Sequence, residues 1–124
     1  MQLQATRYAD VVVLQPPGRI DHQNAPDFSQ ALAPHLPACT ASGDRLLFDL
    51  SGLDYISSAG LRVFMLAAKQ CGPAGGKIAI AAPQPVVREI LEISRFNMLF
   101  PLHATLAEGL AQLSPAAAQA HAPP

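Results

Sequence analysis

The chain has 124 residues, which suits one domain and is enough to bury one core without help from disulfides or metals. Half of the composition is hydrophobic and 14% is charged, which excludes a disordered chain. The net charge is −1 and no basic block occurs, so neither nucleic acid nor an anionic membrane surface is expected as a partner.

The chain opens with two strands around a turn. Leu3–Arg7 alternates weakly, Ala9-Asp10 forms the turn, and Val11–Leu14 is a buried β-branched run. Pro16-Pro17-Gly18 ends the second strand. A helix is expected from near Asn24, a residue that caps well, with Pro26 tolerated in its first turn and Asp27 on its positive end. Phe28, Leu32 and Leu36 share one stripe of it, and Pro34 should kink or end it. "ACTASGD" is a loop before a short buried strand, Leu46–Leu50, which Ser51-Gly52 bounds.

An apolar helix is expected over Ala59–Cys71, broken by "CGPAGG". Lys77–Ala82 reads as a strand. Pro85–Arg95 reads as a helix with Val86, Val87, Ile90 and Leu91 inward and Arg88, Glu89, Glu92 and Arg95 outward. Met98–Leu102 is a short strand flanked by core residues Phe96 and Met98, and Thr105–Leu113 is a last helix. The Ala- and Pro-rich tail, residues 114–124, is expected to be flexible, which leaves residues 1–113 as the domain. An opening antiparallel hairpin followed by alternating helices and strands implies an α/β domain with a mixed sheet.

Cys39 and Cys71 lack CxxC spacing and fit free thiols in a reducing compartment, with a single disulfide as the alternative. The N-terminus lacks a basic region followed by a long apolar stretch, and no apolar run reaches the ~18 residues of a spanning helix. The expectation is a cytoplasmic protein away from the membrane. His22, His35, His103 and His121 are scattered, and "ISSAG" is not the G-x-S-x-G elbow of a hydrolase. His22 beside Asp21 is the nearest approach to a constellation. No metal-ligand spacing and no Gly-rich phosphate loop is present. No catalytic residue, metal or cofactor is therefore assigned, and no enzyme activity is expected.

The chemistry worth attention sits at "DYISSAGLRVF". Ser58 precedes the apolar helix, where unpaired backbone N–H groups want an oxygen, so local physics reads it as an N-cap and nothing more. A second reading is open. The helix is apolar almost all round, which could leave part of it for a partner, and a phosphate on Ser58 would sit at the positive helix end.

"GRID" (Gly18–Asp21), "LLFDLSGLDYISSAGLRVF" (Leu46–Phe64) and "VVREILEISRFNMLFPLHATLAEGL" (Val86–Leu110) resemble a STAS domain, and more closely bacterial anti-sigma factor antagonists. The resemblance covers residues 2–113. It implies a serine at the start of this helix that an anti-sigma factor with serine kinase activity phosphorylates and a PP2C-type phosphatase resets. Alignment on Gly60-Leu61 puts that acceptor at Ser58. Relatives often carry Asp just before it and a hydroxyl just after; Ser57 and Ala59 stand there instead, so Ser57 is a rival acceptor. Asp21 falls where relatives have an acidic residue near the acceptor, with a loop or capping role as the plainer reading. The resemblance thus implies a partner-binding set of Asp21, Ser57, Ala59, Gly60, Leu61, Arg62 and Met65. The alternative function is a constitutive STAS scaffold in a transporter or signalling assembly, with no phosphate switch.

Overall fold

The computed structural model describes residues 1–122. Its central sheet has the order β1-β2-β4-β6-β7, made by Gln4–Tyr8, Val11–Gln15, Arg45–Asp49, Ile78–Ala81 and Leu102–His103. The opening β1–β2 pair is antiparallel and every later pairing is parallel. This is the mixed α/β sheet that the element order implies. Two further strands, β3 (Gly18–Ile20) and β5 (Leu53–Ile56), pair in parallel as a small separate sheet. The sequence reading misses both, because three and four residues are too few to show a period.

Both faces of the central sheet are covered, which explains why β2, β4 and β6 are apolar without alternation. Val12, Leu14, Leu46, Phe48, Ile78 and Ile80 face one core, under α1 (Ala25–Leu32), α2 (Ser58–Cys71) and α3 (Pro85–Ile93). Phe64 of α2 is its hub, with ring centroids 4.7 Å from Phe48 and 5.3 Å from Phe28. Val11, Val13, Leu47, Ala79 and Ala81 face the other core, under α4 (Leu106–Leu113) and α5 (Pro115–His121). Ala79 and Ala81 are small on that face, and Gly109 lets α4 lie close: a Cβ there would stand 3.0 Å from Leu47 and 3.3 Å from Ala81.

Several expectations change in the structure. Helix α1 does follow Asn24 and stops at Leu32, where Pro34 forces a 3-10 turn over Ala33–His35. Asn24 does not cap it, because its backbone is already helical; its side chain instead accepts from the Asp21 N–H and donates to the Arg19 carbonyl. Met98–Leu102 is not a strand. Phe96–Met98 is a 3-10 turn entered through Arg95 at φ 60°, and β7 is only Leu102–His103, since Pro101 has no N–H to give a ladder. Phe96 is buried, but Met98 is 81% exposed and not core. Val86 likewise faces outward.

The residues after Leu113 are also different from a flexible tail. Ser114 is buried and caps α5, Ala117 is fully buried, and the His121 ring packs edge-on to Tyr8 at 5.2 Å. The Ser114 hydroxyl donates to the Asp10 carboxylate, and Arg45 donates to the Leu113 carbonyl. Alanine favours helix, and one small buried position is enough to dock this one. The last two residues of the expected tail, 123–124, lie outside the described residues. Cys39 and Cys71 are both buried free thiols.

Candidate functional site

The small β3–β5 sheet builds the site. Its ladder pairs Arg19 with Tyr55 and Ile20 with Ile56, and then the Ser57 N–H donates to the Ile20 carbonyl at 2.8 Å. Asp21 directly follows Ile20, so one ladder carries the end of "GRID" to the serine pair. This convergence links residues 36 positions apart, and no local periodicity announces it.

Helix α2 begins one residue earlier than the sequence reading places it. Ser57, not Ser58, is the N-cap: its backbone is extended (φ −88°, ψ 172°) and its Oγ accepts from the Gly60 N–H at 3.3 Å. Ser58 is the first helical residue, and its side chain is exposed. The two hydroxyls are therefore distinct. One is half-buried and engaged in the cap; the other faces solvent beside the helix N-terminus.

Gly60 fixes the approach of α2 to the small sheet. A Cβ at this position would lie 2.7 Å from Ile20 Cγ2 and 2.8 Å from Ile56 Cγ1. Leu61 is buried in the larger core, and Met65 is half-buried against it. Val63, Phe64 and Ala67 are buried too, so the helix is far less available than its composition suggests. Of the set drawn from the resemblance, Arg62 is exposed, Asp21, Ser57, Ala59 and Met65 are partly so, and Gly60 and Leu61 face inward. On α2, Leu66 is the large apolar side chain left outside, at 49% exposure.

Asp21 is locked in place rather than free. Its Oδ1 accepts from the N–H groups of Gln23 and Asn24, and its Oδ2 lies 3.3 Å from Arg19 Nε. The Asn24 N–H bond, ahead of the Arg19 charge, holds its carboxyl below the usual carboxylate range. Arg19 also lies over the Tyr55 ring, 5.2 Å from its centroid. Arg19 and Tyr55 are surface neighbours that the sequence reading missed. Outward residues in "LDYI" are the signal that could have found Tyr55 once β5 was known.

The arrangement contains an exposed hydroxyl at Ser58, a fixed carboxylate on the neighbouring strand end, and a helix start capped by Ser57. Among the described residues, no group of three His, Cys, Asp or Glu side chains could hold a metal ion, and no helix is long and apolar enough to cross a membrane.

The fold has clear counterparts. BtrV of Bordetella bronchiseptica, named a candidate anti-sigma factor antagonist, is 44% identical over 75 residues. That match spans 60% of this chain and 65% of the relative's length. A solved anti-sigma factor antagonist from Mycobacterium paratuberculosis shares the fold with a TM-score of 0.79 at 24% identity, over 90% of this chain and 92% of that one. The phosphorylated form of the Bacillus cell fate determinant SpoIIAA superposes with a TM-score of 0.67 at 15% identity, over 91% of this chain and 100% of that one. The STAS domain profile matches residues 2–109, and the chain belongs to the STAS domain family.

Proposed function

We propose that this STAS domain is an anti-sigma factor antagonist whose docking is switched by phosphate on Ser58. Unphosphorylated, it binds an anti-sigma factor with serine kinase activity and so frees a sigma factor. Phosphorylation releases it, and a PP2C-type phosphatase restores it. The domain is a substrate in this cycle and performs no catalysis itself. The names of BtrV and of the Mycobacterium structure support the role, and the phosphorylated SpoIIAA structure supports a phosphate on this fold.

The observation that carries the reading is the division of labour between the serines. Ser57 holds the cap, so Ser58 can be modified without unmaking the helix start. A phosphate adds about −1.5 to −2 charges. At a helix N-terminus that charge is favoured by about 0.3–1 kcal/mol when exposed. Folding is thus unharmed, while a partner docking beside Arg62 and Leu66 must desolvate the new charge.

Ser58→Asp, with one added charge, tests this. We expect it to melt within about 0.5 kcal/mol of wild type. By calorimetry it should bind the cognate anti-sigma factor at least ~10-fold more weakly, the factor that 1.4 kcal/mol represents. Equal binding by the two proteins would contradict the switch and favour a constitutive STAS scaffold.

A further inference from the structure

A cavity of about 390 Å³ lies at the far end of α2 from the serine pair. It opens between the last turn of α2, the edge of β6 and helix α4. Its size falls in the range of small-molecule sites. Cys71, Ile78, Phe100 and Leu113 make apolar walls, while exposed Lys77 and Gln112 stand at its mouth. No carboxylate lines it.

The sheet edge explains why the space exists. β7 pairs only with Ile80 and Ala81, where the Ile80 N–H donates to the Pro101 carbonyl at 2.9 Å. The next rung would need an N–H at position 101 to meet the Ile78 carbonyl, and proline has none. Ile78 therefore borders the cavity at a stretch of β6 that β7 leaves uncovered, with its backbone N–H on that same edge. The cavity combines apolar walls, an unmatched strand edge and a cationic mouth.

We propose that this cavity binds a medium-chain alkyl carboxylate, its chain against Ile78, Phe100 and Leu113 and its head at Lys77 and Gln112. A carboxylate suits a mouth that has an ammonium, an amide donor and no competing acid. This site is independent of the serine switch.

Octanoate, with 1-octanol as the uncharged comparator, is the probe. Amide spectra of the labelled full chain are recorded during each titration. The expected result is saturable shifts confined to residues around Cys71, Ile78 and Leu99, with octanol binding at least ~10-fold more weakly. Lys77→Glu should lose at least ~10-fold in octanoate affinity. Ala68→Phe, which projects bulk from α2 into the cavity, should abolish the shifts. Both variants are checked for a native spectrum first. Octanoate without saturable shifts at these residues would overturn the proposal. So would octanol binding as tightly as octanoate, or octanoate affinity untouched in both folded variants.

Discussion

Ser57 and Ser114 each cap a helix, α2 and α5, yet the two junctions leave different chemistry at the surface. At α5 a single serine does everything. Its Oγ accepts from the Ala117 N–H at 3.2 Å and donates to the Asp10 carboxylate, and the residue is only 2% exposed. At α2 the work is split: Ser57 accepts from Gly60 while Ser58 stays outside. A capping serine is thus not by itself a modifiable one. The second hydroxyl of the doublet is what separates a structural oxygen from an available one. The neighbouring charges differ as well, since a phosphate at Ser114 would be repelled by Asp10, whereas the carboxylate of Asp21 is already tied to Arg19, Gln23 and Asn24.

The sharpest way to break the α2 junction is Gly60→Ala. The new Cβ collides with two buried isoleucines on β3 and β5, and overpacking of this kind costs about 1–3 kcal/mol. Denaturant melts should show that loss, with the small sheet displaced from α2. The α5 junction breaks with Ser114→Ala, which removes a cap and leaves the Asp10 carboxylate without its donor. We expect a cost of about 1–2 kcal/mol by the same melts.

Acid should weaken the α5 junction too. The Ser114 hydroxyl bond, the largest influence, holds the Asp10 carboxyl below its ordinary value. A depressed folded pKa gives stability that is present above the unfolded value and is lost as pH falls through the folded one. Wild type should therefore lose stability below about pH 4, and Asp10→Asn should lose less over that window. A pH series of thermal melts on both proteins checks the difference.

Smallest of all is the contrast within the doublet. Ser57→Ala should cost about 1 kcal/mol, as caps do, while Ser58→Ala should lie within about 0.5 kcal/mol of wild type. Equal costs in paired melts would mean that both oxygens share the cap.

The parts legible in the sequence were those with length or periodicity. The hairpin, the buried strands at Val11 and Leu46, and the long helix after the serines follow from apolar runs and turn residues. The residues Ser58 and Asp21 are legible through the family resemblance, but the ladder that brings Ile20 against Ser57 is not, because β3 and β5 are short strands joined across a long sequence gap. The cap was displaced by one position because both residues at the junction are serine, and only the extended backbone of Ser57 distinguishes them. Met98 reads as core because it is an apolar residue near an aromatic one, yet it is exposed, since the proline at 101 shortens the strand that would bury it. The docked α5 was hidden by an alanine-rich composition with one buried side chain.

The most direct measurement is acceptor mapping by intact mass and peptide sequencing after treatment with the cognate anti-sigma kinase and ATP. Wild type, Ser57→Ala and Ser58→Ala are compared. The account predicts one phosphate on wild type and on Ser57→Ala, placed at Ser58 in both, and none on Ser58→Ala. A phosphate on Ser58→Ala that is missing from Ser57→Ala would contradict it, because the capping oxygen would then be the acceptor.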